Sequence, residues 1–95
     1  MIGIHEIYID RCDRSFWFND LAENYKVAGN GHFKDGRLAE AVESYTNALR
    51  CNIDDTKLLA SLLSNRAFAN LKLCRYEECI EDCSGAIDAD RYHVK

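Results

Sequence analysis

Residues 22–49 read AENYKVAGNGHFKDGRLAEAVESYTNAL, and residues 60–87, which read ASLLSNRAFANLKLCRYEECIEDCSGAI, align with them without a gap. Large residues meet large ones and small residues meet small ones, with an exception at Tyr45 and Cys83. The matched pairs are Ala22 and Ala60, Tyr25 and Leu63, Gly29 and Ala67, Phe33 and Leu71, Leu38 and Tyr76, Ala41 and Cys79, and Ala48 and Ala86. Because the chain lacks proline and has a strong 3.6-residue periodicity, the alignment predicts an all-α fold with one helical unit occurring twice.

Small residues recur where the two helices of such a unit pack against each other. They are Gly29, Ala41 and Ala48 in the first copy, and Ala67, Cys79 and Ala86 in the second. Helices can approach closely at small residues while bulky neighbours fill the grooves beside them. Gly29 is therefore predicted to be a packing residue, although a glycine inside a helix costs about 1 kcal/mol relative to alanine. Gly36 is predicted to end the first helix as a C-cap, whereas Gly31 has no comparable explanation.

Composition narrows the class of protein. The chain has 95 residues, a net charge of −4 and a pI near 5.3. This length makes one small domain, whose core is marginal without regular packing or a partner. The acidic balance argues against a general nucleic-acid binder. No apolar run approaches the ~20 residues of a membrane-spanning helix, and residues 1–10 lack the basic start and the apolar run of a signal peptide.

The five cysteines are interpreted as reduced thiols of a cytosolic protein. Their odd number and the absence of both a secretion signal and a CxxC pair support that interpretation. Cys79 and Cys83 have helical spacing, but no histidine lies near them, so packing of small residues is favoured over a metal site. The sequence contains no nucleophile–base pair and no phosphate loop. No catalytic residue, metal or cofactor is therefore predicted.

The repeated pattern resembles the tetratricopeptide repeat, a helix–turn–helix unit of 34 residues. The resemblance covers residues 22–95 and implies an α-solenoid. Repeat 1 spans about 22–55, repeat 2 spans about 60–93, and a third repeat starts at 94. The starts at Ala22 and Ala60 are 38 residues apart, so the link between the repeats is lengthened, and Asp54 or Asp55 is expected to cap the next helix. The proline that usually closes each repeat is missing.

In such repeats the first helices line a concave groove that binds extended peptides. Side chains predicted there are Lys26, Asn30 and Phe33 in repeat 1, and Asn65, Phe68, Leu71 and Lys72 in repeat 2. The segments KVAGN and LLSNRA, together with a lysine at the second position of the third repeat, resemble the carboxylate-clamp domains of Hsp70 and Hsp90 co-chaperones. That resemblance implies the clamp residues Lys26, Asn30, Asn65 and Lys95. The clamp arginine of those domains would fall four residues after Lys95.

The clamp resemblance implies a co-chaperone domain that binds the acidic C-terminal peptide of Hsp70 or Hsp90. A terminal aspartate presents two carboxylates, which ammonium groups and amide NH2 groups can satisfy with charge-assisted hydrogen bonds. Phe68 and Leu71 are expected to offer an apolar pocket to a valine just before that aspartate. Arg66 is expected to turn away from Asn65 and to pack or pair within its repeat.

Two other functions remain open from the sequence. The repeats can be a scaffold for an unrelated peptide or protein, since a lysine and an asparagine on a helix are usually solvated surface. They can also be the targeting domain of a larger enzyme, such as a prolyl isomerase or a protein phosphatase. Each of the three functions predicts a cytoplasmic protein-interaction domain, with neither nucleic acid nor membrane as a partner.

Both ends of the chain lie outside the two repeats. Residues 1–19 are predicted to be an N-terminal extension to a repeat domain at 20–95. Their SFWF cluster is apolar enough to pack on repeat 1 or on another molecule, and a segment left from a preceding domain is an equal alternative. Repeats bury their faces on neighbouring copies, so the helix predicted at Tyr76–Asp88 is expected to expose one side. We expect that this side is covered either in a longer protein or by self-association.

Overall fold

Helix hairpins build the structure, a computed structural model that describes the backbone of residues 19–94 and the side chains of residues 19–90. Its helices are α1 at residues 19–34, α2 at Leu38–Leu49, α3 at Thr56–Lys72 and α4 at Tyr76–Val94. Helix α1 packs with α2 and α3 packs with α4, while α3 also contacts α2. The prediction of an all-α fold made of repeated helix hairpins is confirmed.

Some of the predicted features lie outside the described residues. These are residues 1–18, which make up nearly all of the N-terminal extension, and Lys95, the fourth predicted clamp residue. Helix α4 continues through Val94, the position assigned to the start of a third repeat, so that start remains a prediction. None of the helices between residues 19 and 94 combines the length and apolar character needed to cross a membrane.

The two hairpins turn at the same repeat position with different residues. The first turns at Gly36, which has a φ of 82°, and backbone hydrogen bonds run from Arg37 N to His32 O at 2.8 Å and from Gly36 N to Phe33 O at 3.1 Å. These bonds form the Schellman arrangement, so the predicted glycine C-cap is confirmed. In the second hairpin Cys74 takes the equivalent position with a φ of 64°. A residue with a Cβ adopts that conformation at a cost of about 1 kcal/mol.

Helix α3 begins at Thr56, four residues before the second repeat starts in the alignment at Ala60, and a side-chain cap stabilises this early start. Asp55 Oδ1 accepts hydrogen bonds from the backbone N–H groups of Lys57 at 3.0 Å and Leu58 at 3.3 Å. Such a cap contributes about 1 kcal/mol to helix stability. Of the two acidic candidates, Asp55 is therefore the cap. The backbone N–H of Asp54 instead donates to Asn19 Oδ1 at 3.3 Å, which joins this loop to α1.

The core lies between the hairpins and contains many alanines. Its buried members are Ala22, Ala41, Tyr45, Ala48, Leu58, Leu62 and Ala69. Ala41 and Ala48 are completely buried, which confirms their predicted role at a close helix contact. Tyr45 and Leu62 are the largest fully buried side chains, so they fill the space that the alanines leave between the helices.

The cysteines differ from the expectation that they would pack as small core residues. Cys51 and Cys79 are half-buried, but Cys74 and Cys83 are exposed, and all four are free thiols. The packing prediction is wrong for Cys74 because it occupies a turn, and for Cys83 because it lies on the exposed side of α4. Across the side chains that the structure describes, no group of three histidines, cysteines or acidic residues is placed to hold a metal ion.

An apolar stripe on α4, formed by Tyr76, Ile80 and Ile87, is exposed to solvent as expected. These side chains are 58%, 66% and 60% exposed. The repeat alignment pairs Ile80 and Ile87 with Val42 and Leu49, which are half-buried against the core. The α4 stripe is therefore the counterpart of a surface that the second hairpin covers in the first.

Candidate binding groove

Helices α1 and α3, the first helices of the two hairpins, form the walls of a groove with a cavity of about 450 Å³. Tyr45 of α2 also contributes to it. The full lining consists of Val27, Asn30, Gly31, Phe33, Lys34, Tyr45, Asn65 and Phe68. Val27 and the aromatic rings supply apolar surface, and the asparagines and Lys34 supply polar groups. An apolar cavity with a few convergent polar groups is the usual form of a ligand site.

The structure brings part of the predicted site together. Four predicted residues line the same cavity: Asn30, Phe33, Asn65 and Phe68. Lys26 lies one helical turn before Asn30 on α1 and lines a neighbouring depression that also contains Glu23 and Asp55. The predicted lysine and asparagines therefore occupy adjacent parts of one surface.

Leu71 and Lys72 lie outside this lining. Both are exposed on α3, and Leu71 is 46% exposed. Leu71 does not line the cavity, where Phe33 and Val27 provide the apolar surface beside Phe68, so its place in the apolar pocket stays a prediction. Leu71 and Lys72 follow Phe68 by three and four residues, so they lie one turn further along the same face of α3.

Asn30 and Asn65 face each other across the groove. Asn65 Nδ2 donates to Asn30 Oδ1 at 3.2 Å, and the Tyr45 hydroxyl donates to the same oxygen at 2.5 Å. A side-chain amide oxygen has two lone pairs, so both are in use. The NH2 group of Asn30 is left for a ligand. The amide pair therefore offers hydrogen-bond donors to an anionic group.

Gly29 explains how Tyr45 reaches Asn30. A Cβ added at Gly29 would lie 2.5 Å from Tyr45 Cε1, so the aromatic ring packs directly on the α1 backbone. Burial leaves Tyr45 1% exposed and raises the pKa of its phenol. A tyrosine hydroxyl is protonated at neutral pH without any shift, and burial reinforces this, so the group remains a donor. The predicted packing role of Gly29 is confirmed, and Tyr45 is its partner.

Arg66 points away from the groove, as predicted, and pairs inside the domain. Its Nε and Nη2 donate to the Asp82 carboxylate at 2.9 and 2.7 Å, and its Nη1 donates to Thr46 Oγ1 at 3.1 Å. Asn70 Nδ2 adds a further hydrogen bond to Asp82 at 3.2 Å. This network joins α3 to both α4 and α2, so Arg66 holds the hairpins together beside the groove.

Several lining residues were not predicted from the sequence. They are Val27, Gly31, Lys34 and Tyr45. Lys34 follows Asn30 by four residues, the same helical spacing that singled out Lys26, so its signal was present. Tyr45 stood out only as the mismatched partner of Cys83. Gly31 is exposed and has nothing within 4 Å of an added Cβ, so its absence of a side chain leaves this part of the groove open.

The class of protein follows from this geometry. Tandem helix hairpins, small residues at the hairpin contacts and a groove lined by the first helix of each hairpin define a tetratricopeptide-repeat domain. The tetratricopeptide-repeat resemblance, predicted from the repeated segments, is therefore confirmed. No protein-family profile matches the chain.

Comparison with known proteins relates this domain to co-chaperones. The chain is 39% identical over 77 residues to the Hsp70/Hsp90 co-chaperone CNS1 of Saccharomyces cerevisiae, a match that covers 81% of this chain and 20% of that protein. It is 40% identical over 70 residues to DnaJ homolog subfamily C member 7 of Mus musculus, covering 74% of this chain and 14% of that one. Identity to the Hsp70-Hsp90 organizing protein of Triticum aestivum is 38% over 66 residues, covering 70% and 11%.

A solved structure of a co-chaperone has the same fold. The Hsp90 co-chaperone Cns1 from Saccharomyces cerevisiae (delta69) matches with a TM-score of 0.75 and 38% identity. The match covers 78% of this chain and 24% of that chain. The chain thus spans a quarter or less of the length of each of these relatives.

Proposed function

We propose that this chain is a protein-interaction domain that binds the acidic C-terminal peptide of Hsp70 or Hsp90. The observation that carries the proposal is the hydrogen bond from Asn65 Nδ2 to Asn30 Oδ1, which is 3.2 Å long and lies beside an apolar cavity. The amides offer donors to a carboxylate, and the cavity offers a site to the side chain that precedes it. The names of the co-chaperone relatives, which include Hsp70 and Hsp90, support this choice of partner.

Lysines complete the proposed site. Lys26 and Lys34 lie one helical turn on either side of Asn30 along α1. Their ammonium groups are available to the two carboxylates of a terminal aspartate, and such charge-assisted hydrogen bonds are roughly twice as strong as neutral ones. Lys95 is proposed as a further ligand from its repeat position. Leu71 and Lys72 would meet only a part of the peptide that extends beyond the cavity.

Chemistry at the end of the peptide separates this function from its alternatives. A scaffold for an unrelated partner has no reason to distinguish a free C-terminal carboxylate from an amide. A targeting domain of a larger enzyme is compatible with the same groove, and the catalytic residues would then belong to another part of that protein. The co-chaperone relatives support the cytoplasm as the proposed location.

A fluorescent peptide that ends in Glu-Glu-Val-Asp is expected to bind through its free C-terminus. Amidation removes one of the two terminal carboxylates and should weaken binding at least about tenfold, since a hydrogen bond to a charged group contributes about 1.5–3 kcal/mol. Lys26→Ala and Asn65→Ala should each weaken binding by a similar factor for the same reason. Fluorescence anisotropy at fixed ionic strength measures all four dissociation constants.

Arg75→Ala is the matched control for this titration, because it removes one exposed positive charge just before α4, outside the lining of the cavity. It is expected to change affinity less than about twofold, as exposed charges contribute little at moderate salt. Equal losses from Arg75→Ala and Lys26→Ala would instead indicate general electrostatic attraction. Binding that is indifferent to amidation, or undetectable for both peptides, would contradict the proposed function.

We also propose that the α4 stripe mediates self-association of the isolated chain. Its apolar side chains are exposed at spacings of four and seven residues on one helix face, and burying them in a second copy removes them from water. Sedimentation velocity is expected to show an average mass that rises with protein concentration. Replacing Ile80 and Ile87 together by serine should leave a monomer at every concentration.

Leu21→Ser is the control for that experiment, because Leu21 is also exposed, at 42%, but lies on α1. It should leave the concentration dependence unchanged. The acidic side chains Glu77, Glu81 and Asp88 lie beside the stripe on α4, so added salt should strengthen the association by screening their repulsion. A wild-type chain that stays monomeric at all concentrations would contradict self-association.

A further inference from the structure

The side-chain oxygen of Asn30 accepts two hydrogen bonds in the groove. It receives the Tyr45 hydroxyl at 2.5 Å and Asn65 Nδ2 at 3.2 Å, and an amide oxygen can accept two such bonds. These donors come from different helices, α2 and α3, and converge on a residue of α1. The buried Tyr45 hydroxyl constrains the orientation of the Asn30 amide more than Asn65 does, because the amide of Asn65 could also accept a hydrogen bond from Asn30.

An asparagine amide can normally either donate or accept, because its oxygen and nitrogen exchange places when the group flips. Here a flip would remove the acceptor from the phenol hydrogen of Tyr45, and a buried donor without a partner costs about 1–3 kcal/mol. The orientation that satisfies Tyr45 leaves the NH2 group of Asn30 as its remaining functional group. In that state Asn30 can only donate to a ligand.

We propose that Tyr45 is a specificity-determining residue of the groove, which fixes Asn30 as a donor and thereby selects ligands that end in a carboxylate over ligands that end in an amide or an amine. The inference rests on the proposed function, since it concerns the same groove and the same peptide terminus. Tyr45 acts through Asn30 and is a positioning residue.

The packing of Tyr45 suits this role. Its side chain is 1% exposed, and its ring lies against Gly29, where even a methyl group would come within 2.5 Å of Cε1. The hydroxyl is therefore carried at the end of a ring that has little freedom to move. The phenol keeps its hydrogen at neutral pH, as any tyrosine does, and burial raises its pKa further.

The second repeat lacks both parts of this arrangement. The repeat alignment pairs Asn30 with Phe68 and Tyr45 with Cys83, and Cys83 is exposed on α4. The size mismatch between Tyr45 and Cys83 thus coincides with the repeat that carries an asparagine at this groove position. Tyr45 is a longer side chain than Cys83, and this length brings its hydroxyl to Asn30.

Tyr45→Phe tests the inference, because it keeps the ring that packs on Gly29 and removes only the hydroxyl. The ratio of dissociation constants for the amidated and free Glu-Glu-Val-Asp peptides is measured by anisotropy in wild type and variant. The variant should bind the free peptide about fivefold more weakly, the loss produced by about one hydrogen bond. The amidated peptide offers only a neutral carbonyl oxygen at that position, so its affinity should fall less and the ratio should fall at least about twofold. Tyr25→Phe, the same change at a half-buried tyrosine outside the lining, should leave the ratio unchanged.

Each outcome of this experiment decides a separate question. A wild-type ratio near one contradicts the proposed function, and the inference with it. A wild-type ratio well above one that persists in Tyr45→Phe overturns the inference alone. Equal weakening of both peptides by Tyr45→Phe also overturns it, since a purely structural role affects the two ligands alike. A thermal melt of each variant confirms that the comparison is made on folded protein.

Discussion

Replacing Arg66 by alanine is expected to lower the free energy of unfolding by about 3 kcal/mol, the lower end of the range for breaking a buried ion pair. Asp82 is 5% exposed and receives two hydrogen bonds from the guanidinium, at 2.9 and 2.7 Å. Without Arg66 the carboxylate remains buried, with a bond from Asn70 at 3.2 Å. The side chain of Arg66 is itself 24% exposed, so water can replace part of what is lost, which places the estimate at the lower end. Urea unfolding followed by circular dichroism measures the change.

Two further variants show whether the effect belongs to the ion pair. Arg75→Ala removes an exposed arginine just before α4 and should change stability by less than about 0.5 kcal/mol. The double variant Arg66→Met with Asp82→Leu should recover part of the loss, because it leaves no buried charge without a partner, while the buried Asn70 amide loses its acceptor. If the single variant costs as little as Arg75→Ala, the network does not hold the hairpins together.

The Arg66 network also explains how two neighbouring residues on α3, Asn65 and Arg66, have different roles. Successive residues on a helix are rotated by about 100°, so Asn65 can face α1 while Arg66 faces α2 and α4. Arg66 Nη1 donates to Thr46 of α2 at 3.1 Å, which links the second hairpin to the first. The ion pair therefore sets the rotation of α3 that presents Asn65 to the groove.

Features that depend on local rules or on repetition could be predicted from the sequence. The C-cap at Gly36 and an N-cap at Asp54 or Asp55 follow from chain conformation within a few residues, and the structure selects Asp55. The burial of Ala41 and Ala48 follows from comparison of the two copies. The outward rotation of Arg66 follows from helix geometry once Asn65 is placed in the groove.

Contacts between helices could not be predicted in the same way. The hydrogen bond from Tyr45 to Asn30 joins residues 15 positions apart, and it depends on how closely α2 approaches α1 at Gly29. Cys74 was grouped with packing residues because its place in the turn is recognised only by comparison with Gly36. The lining is likewise a property of the helix crossing, which left Leu71 outside the cavity.

Alanine substitutions at the two glycines of α1, Gly29 and Gly31, should change the free energy of unfolding in opposite directions. Gly29→Ala is expected to lower the free energy of unfolding by about 2 kcal/mol, within the range for overpacking a filled core. An added Cβ would lie 2.5 to 2.9 Å from three ring atoms of Tyr45, which is buried and held at its hydroxyl by Asn30. The variant gains helix propensity, but that gain of about 1 kcal/mol is smaller than the cost of displacing the ring. Urea unfolding measures the difference.

Gly31→Ala is the matched change two residues further along the same helix. Nothing lies within 4 Å of a Cβ added there, so alanine should raise the free energy of unfolding by about 0.5–1 kcal/mol through helix propensity alone. Destabilisation by both substitutions would mean that the helix does not continue past Gly29, and stabilisation by both would mean that Tyr45 does not pack on it. Opposite signs require an α1 that continues through Gly31 with the tyrosine ring against Gly29, which is the arrangement that brings the Tyr45 hydroxyl to Asn30.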